Sequence, residues 1–216
     1  MTTYEDIRNE LKTGDIVLFS GKGFISWVIK KVTKNEYSHV GMIIRIDGFD
    51  FVALWESTTL SDVPDIWHKK KKGVQIVQLS KRLENYNGKV SVRLLQDFTI
   101  GLEQEAIIAN LRHEVNGLPY EKNWWSLAKS ALDRTKLGKN KKQDLSSLFC
   151  SELVAEAYMR LGLIENNQVS SEYTPADFSE KGRIELKKGH LGPEITILNA
   201  KQAKKKRKVR RPRHRR

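Results

Sequence analysis

The chain has 216 residues, 39 percent of them apolar, with a single cysteine and 39 Lys plus Arg against 26 Asp plus Glu. That length builds one ordinary domain with its own core and is too short for two large ones, while one cysteine excludes an intramolecular disulfide scaffold and favours a reducing, intracellular setting. Eleven of the basic residues and no acid lie between Lys201 and Arg216, which leaves 28 bases against 26 acids in residues 1–200.

Gly14-Asp15 is a turn that launches Ile16-Val17-Leu18-Phe19, a short apolar run of β character. Gly21-Lys22-Gly23 breaks it, and Phe24, Trp27, Val28 and Lys31 then fall at helical spacing, which predicts a short amphipathic helix over 24–32. The runs His39 to Ile46 and Phe49 to Glu56 flank Asp47-Gly48, a dipeptide favoured in two-residue hairpin turns, so an antiparallel hairpin is expected. If Ile46 and Phe49 close the turn, His39 lies directly opposite Glu56, within about 5.5 Å between β-carbons. A four-residue loop from Asp47 to Asp50 makes the pair diagonal but keeps both on one face, and only a one-residue slip separates them.

Val74 to Leu79 and Lys89 to Leu95 predict two more strands, joined by a polar stretch containing Asn85 and Asn87-Gly88. Ala106, Ile107, Asn110, Leu111 and Glu114 mark a helix over 102–115 that Gly117 ends, and residues 124–132 predict another. After a Lys-rich loop between Thr135 and Gln143, Leu153, Val154, Ala157, Tyr158 and Leu161 form the clearest helical stripe of the chain, over 148–161, stopped by Gly162. Strands followed mostly by helices predict an α+β layout with an antiparallel sheet packed against helices.

Cys150 follows Ser146-Ser147, good capping residues, and precedes that stripe, which puts it in the first turn of the helix. Unpaired amides and the positive end of the dipole favour a thiolate there; the alternative is a buried cysteine acting as a small apolar residue. A neutral imidazole at His39 can take a thiol proton and return it to a leaving group, and Glu56 across the hairpin can hold the other ring nitrogen. Taken singly, His39 reads as a structural histidine and Glu56 as a glutamate of an edge strand; their joint placement with Cys150 favours chemistry. The lone cysteine and scattered histidines lack metal-ligand spacing, and there is no glycine-rich phosphate loop, so neither metal nor cofactor is expected.

Four blocks, Gly14-Asp15-Ile16-Val17-Leu18, Ser38-His39-Val40-Gly41-Met42, Gly117-Leu118-Pro119-Tyr120-Glu121 and Phe149-Cys150-Ser151-Glu152-Leu153-Val154, resemble in order those of the circularly permuted papain-like fold. That is the YiiX-like and lecithin retinol acyltransferase-like branch of the NlpC-type cysteine hydrolase superfamily. The resemblance spans residues 12–180 and includes Tyr173-Thr174-Pro175-Ala176-Asp177-Phe178. Permutation accounts for a histidine that precedes the cysteine. The resemblance implies Cys150 as nucleophile, His39 as general base, Glu56 as orienting acid and Tyr120 as pocket lining, with Glu121 where an aspartate is commoner. It also implies hydrolysis or transfer of an acyl group, from amide or ester, peptide or lipid, through a thioacyl intermediate. Trp124-Trp125 and Phe24-Trp27 are candidates for a lipid-accommodating pocket, with simple core as the alternative.

No apolar run approaches the roughly 18 residues of a membrane-spanning helix, and Met1-Thr2-Thr3-Tyr4-Glu5-Asp6 lacks the pattern of a signal peptide, so a non-secreted protein without an anchor is expected. Residues 1–199 are expected to form the hydrolase domain and residues 200–216 a basic tail disordered when unbound. Within the tail, Lys204, Lys205, Lys206, Arg207, Lys208 and Val209 resemble a single-cluster nuclear import signal. Nucleic acid, an import receptor and an anionic membrane surface are its candidate partners. Related proteins in large DNA viruses extend the expected location from the nucleus to a virion or virus factory. Two other functions stay open: an inactive binding module whose tail contacts nucleic acid, and an intracellular cysteine isopeptidase.

Overall fold

The structure is a computed structural model that describes residues 2–46, 50–119 and 149–198. Seven strands form one sheet in the order β1 (Thr2–Thr3), β9 (Ile195–Leu198), β6 (Lys89–Arg93), β2 (Ile16–Ser20), β3 (His39–Arg45), β4 (Val52–Thr58) and β5 (Gly73–Gln78). Every pairing in it is antiparallel except β1 with β9. A small ladder pairs β7 (Leu95–Gln96) with β8 (His190–Leu191). The helices are α1 (Tyr4–Ile7), α2 (Phe24–Thr33), α3 (Leu79–Asn85), α4 (Leu102–Glu114) and α5 (Cys150–Arg160). The fold is therefore mixed α+β around a mostly antiparallel sheet, and none of the described helices is long and apolar enough to cross a membrane.

Strand alternation sorts the core into two layers. Val40, Met42 and Ile44 of β3 and Ala53 and Trp55 of β4 pack with Ile108 and Leu111 of α4 and Leu153, Val154 and Tyr158 of α5. Residues of the other parity, among them Val17, Phe19, Ile43, Val52 and Leu54, pack with Ile7 of α1 and with Leu79 and Leu83 of α3. Because both faces are covered, Ile16 through Phe19 are all buried, which is why that strand reads as a continuous apolar run rather than an alternating one.

Two buried polar anchors tie the sheet together. The Asp15 carboxylate accepts from the backbone amides of Lys12 and Leu95, while Tyr158 of α5 donates to the carbonyl of Gly14, whose φ of +98° suits glycine. Arg93 donates to the carbonyls of Phe178, Ser179, Leu191 and Gly192 at 2.7–3.0 Å, fixing the segment that leads into β9.

The hairpin has the longer connection. Met42 faces Trp55 and Ile43 faces Leu54, so Glu56 is displaced by two residues from the position directly across from His39. β3 ends at Arg45 and β4 starts at Val52, and the tip, residues 47–49, lies outside the described residues. In place of the polar connection after β5 there is the short helix α3, with Leu79 its first residue rather than the end of a strand. The buried stripe of α4 also differs from the expected one: Ile108 and Leu111 are buried, with Val115 at the C-cap, whereas Ala106, Asn110 and Glu114 are exposed. The tandem Ile107-Ile108 supports two phases of the stripe, and packing against the sheet and α5 selects the second. The expected helix over 124–132, Tyr120, Glu121, Trp124, Trp125 and the basic residues Lys204 to Lys208 lie outside the described residues.

Candidate active site

Cys150 is the first residue of α5. Phe149 occupies the N-cap and has no side-chain acceptor to offer, and the Glu152 carboxylate accepts the Phe149 amide at 3.3 Å. The first amides of an α-helix lack intrahelical acceptors, so the thiol sits beside oriented N–H donors and the positive end of the dipole. The expected caps, Ser146 and Ser147, lie outside the described residues. Cys150 itself is 1 % exposed and belongs to the core layer beneath α5.

His39 opens β3 opposite Phe19 of β2, where its ring lies 5.2 Å from the phenyl ring. Its Nε2 is 2.7 Å from Glu56 Oε2, which leaves Nδ1 as the nitrogen available to the thiol. Burial is the strongest influence on His39 and favours the neutral ring. Hydrogen bonding with Cys150 and its charge, and then the same two influences from Glu56, outweigh burial and raise His39 to about 9. The ring is thus an imidazolium at neutral pH, flanked by the cysteine sulfur and a carboxylate.

Glu56 is completely buried, and burial alone drives a carboxyl upward. The charge of Arg82, followed by the hydrogen bond and charge of His39, overrides that and holds Glu56 below its ordinary value. Arg82, from α3, donates to Glu56 Oε1 through Nε at 2.9 Å and Nη2 at 2.6 Å, and its Nη1 reaches Asp62 Oδ1 at 2.6 Å. A continuous chain of contacts therefore runs from Asp62 at the surface through Arg82 and Glu56 to His39. Arg82 escapes a reading of the sequence because α3 does, although Leu79, Arg82 and Leu83 carry the spacing of one helical face.

Gly41 makes room for this chain. A β-carbon there meets Leu54 Cδ1 at 2.7 Å, the Trp55 carbonyl at 3.0 Å and Glu56 Cβ at 3.3 Å. Any side chain there drives into Leu54 and the Trp55 carbonyl and crowds the glutamate.

A cavity of about 650 Å³ opens beside His39, within the range of small-ligand sites. Gly21, Lys22, Ser26 and Ile29 of the β2–α2 side face Thr58, Leu60, Asp62 and Tyr86 across it. Ile29 also packs on Phe149, next to the cysteine. Burial, reinforced by the charges of Glu56 and Cys150, drives the Tyr86 phenol upward against the pull of Arg82, so it remains a protonated donor. The lining includes His39 but not Cys150, and Trp27, a candidate for either the pocket or the core, is 54 % exposed and outside the lining.

No protein-family model matches the chain. It is 33% identical over 96 residues to an uncharacterised protein of Acanthamoeba polyphaga mimivirus, a match that covers 39% of this chain and only 38% of that relative's length. In structure it is similar to the metalloprotein YiiX from Escherichia coli O157:H7, with a TM-score of 0.50 at 19% identity over 88% of this chain and 97% of the other. The two share a fold. A resident metal does not fit the His39 cluster here, because Glu56 has one oxygen on the Arg82 guanidinium and the other on His39 Nε2, so the carboxylate and the imidazole that a metal would need are engaged with each other and with a fixed cation. Among the described residues, no group of three or more His, Cys, Asp or Glu side chains is arranged to hold a metal ion.

Proposed function

We propose that the chain is a cysteine-dependent hydrolase or acyltransferase with a circularly permuted papain-like arrangement, in which Cys150 is the nucleophile, His39 the acid and base, and Glu56 the orienting carboxylate. The observation that carries this reading is His39 itself: a half-buried ring at the cavity wall, with Glu56 Oε2 2.7 Å from Nε2 and Cys150 as its other principal electrostatic partner. A purely structural histidine has no need of a lone cysteine at a helix start as its second partner. The likeness to YiiX in fold supports the hydrolase class, and the mimivirus relative supports a viral setting.

The chemistry follows from the placement. The thiolate of Cys150 attacks the carbonyl carbon of an amide or ester, forming a C–S bond as the carbonyl π pair moves onto oxygen. The amides at the start of α5 are the donors available to that oxyanion. Collapse expels the amine or alcohol, which takes the proton of the His39 imidazolium and leaves a thioacyl enzyme. Neutral His39 then removes a proton from water, or from a second acceptor, as that oxygen or nitrogen attacks the thioester, and Cys150 departs as thiolate. Glu56, held charged by Arg82, keeps the ring oriented through both steps.

The test is a panel of p-nitrophenyl esters and anilides followed by intact-mass analysis after acid quench. An acyl adduct located on Cys150, and turnover lost in Cys150→Ala and in His39→Ala, is the expected result. Turnover undiminished in Cys150→Ala, or no adduct with any acyl group, overturns the assignment and leaves the inactive binding module.

A further inference from the structure

A second concave site lies on the other face of β4 from Glu56, where Trp55 points by strand alternation. The buried Trp55 and Ile76 line it together with Trp67, Ala109, Arg112 and His113, around a cavity of about 250 Å³ that shares no lining residue with the His39 cavity. No Asp or Glu stands among the described residues that line it.

Arg112 is the unusual member. It is half-buried, and its Nε is buried without a hydrogen-bond partner among the described residues. Burial lowers it from its ordinary value, and no charge among the described residues counters that. Other arginines of the fold are committed: Arg82 to Glu56 and Asp62, Arg93 to four carbonyls, and Arg160 to Glu114 and Glu156. The carboxylates that follow or precede the site in sequence are engaged as well, Asp65 with Lys71 and Glu114 with Arg160. A guanidinium desolvated without a counter-ion carries a cost that an anion in the cavity offsets.

Trp67 is presented by a fixed turn. Asp65 Oδ1 accepts from the amides of Trp67 at 2.9 Å and Lys69 at 2.8 Å, and His68 is held at a φ of +62°, in the left-handed region that non-glycine residues seldom occupy. The Ile66 amide donates to the Ile76 carbonyl at 2.9 Å, which ties the turn to β5. Trp67 is nevertheless 48 % exposed, so the turn holds an indole at the cavity instead of burying it. Lys71 Nζ stands 5.5 Å from its ring, and Lys69, Lys70 and Lys72 are exposed in a stretch, residues 66–73, that contains no acid.

We propose that this cavity binds a nucleotide unit, its phosphate on the Arg112 guanidinium and its base against the Trp67 indole. An arginine with an unpartnered Nε meets a phosphate through charge-assisted hydrogen bonds, and the neighbouring lysines favour a doubly charged phosphate over a carboxylate. An exposed indole on a fixed turn is a stacking platform for the flat face of a base. The cavity has room for one ring system and its phosphate, not for a long chain. The inference is independent of the hydrolase reading, since Cys150, His39 and Glu56 take no part in it.

The experiment is calorimetric titration of the full chain with AMP, adenosine and inorganic phosphate at about 0.15 M salt. Wild type, Arg112→Gln and Trp67→Ala are compared, with the thermal midpoint as folding control. AMP is expected to bind the wild type at least about fivefold more tightly than adenosine or phosphate. Arg112→Gln should weaken AMP at least about tenfold without lowering the midpoint, because this arginine has no hydrogen bond at Nε to lose. Trp67→Ala, a change at an exposed position, should weaken AMP at least about fivefold and leave phosphate unchanged. An oligoadenylate, read as the difference between wild type and Trp67→Ala so that attraction to the basic residues 201–216 cancels, separates the two sources of such a unit. A Trp67-dependent affinity above that of AMP assigns the unit to single-stranded nucleic acid, and one equal to it assigns a free nucleotide. Phosphate bound as tightly as AMP overturns the proposal in favour of a plain anion site. AMP affinity unchanged in both variants, or no binding of AMP at millimolar concentration, overturns it altogether.

Discussion

Arg82→Met is the sharpest perturbation the structure offers, because it removes a guanidinium of matching length while leaving Glu56 in a completely buried position. In the wild type, Glu56 Oε1 receives two bonds at 2.9 and 2.6 Å from Arg82, whose side chain is 1 % exposed. Breaking a buried pair from one side costs about 3–5 kcal/mol, since the remaining charge keeps its desolvation penalty. With a urea slope of about 2 kcal/mol per M, the unfolding midpoint should fall by roughly 2 M. The pH dependence has a definite sign. Glu56, lowered from 4.5 in the folded wild type, contributes stability that is present above that value and lost as pH falls through its folded one. Without Arg82 only His39 is left to offset burial, so the carboxylate contributes much less stability above the same value. The two stability curves should therefore lie far apart at neutral pH and converge toward acid. Urea titrations across that range, with a double-mutant cycle through Glu56→Gln, measure both effects. A loss below about 1 kcal/mol at neutral pH, or strict additivity in the cycle, refutes the reasoning.

Gly41→Ala should cost about 1–3 kcal/mol through its clashes with Leu54 and Glu56, and it should lower esterase activity further than an equally destabilising change elsewhere; urea titration and activity measured together check this. His39, raised from 6.5 to about 9, contributes stability that is complete below 6.5 and disappears as pH rises through about 9. The thermal midpoint of the wild type should consequently fall over that interval by more than that of His39→Gln, whose curve lacks this component. Arg93→Met strands four carbonyls and should destabilise by about 3 kcal/mol or more, with hydrogen exchange rising first in β8 and β9.

Much of the site is legible in the chain because its parts sit on elements with strong local signals. The apolar stripe from Leu153 to Leu161 fixes the helix and hence Cys150 near its start, and strand parity puts His39 and Glu56 on one face for either even-numbered turn. The register itself is not legible: Asp47-Gly48 favours a two-residue turn, whereas the sheet adopts the pairing of the longer loop, and such a choice is settled by packing along both strands rather than at the tip. Arg82 is hidden for a different reason. The helix has seven residues, and Gln78 at its N-cap makes no side-chain capping bond, so neither length nor capping announces α3, and its purpose shows only when Glu56 is seen buried beneath it. β9 is equally silent, since four residues after a long irregular stretch gain their place only by pairing with β6 and β1. The two-phase ambiguity of Ile107-Ile108 is of the same kind: a local pattern supplies alternatives, and the partner surface selects one.

The central claim, that Cys150, His39 and Glu56 act as one unit, is tested most directly by the rate of iodoacetamide labelling of Cys150 across pH, read by mass spectrometry in the wild type, His39→Ala and Glu56→Gln. Comparison within one folded site cancels the low exposure of the thiol, which slows all three alike. The account predicts that the wild-type rate is sustained between about pH 6 and about pH 8, where an imidazolium partner favours the thiolate. It further predicts that His39→Ala loses reactivity at least about tenfold at the acid end of that range, with Glu56→Gln between the two. Identical pH profiles for all three proteins contradict it, and make Cys150 a buried core residue with no part in catalysis.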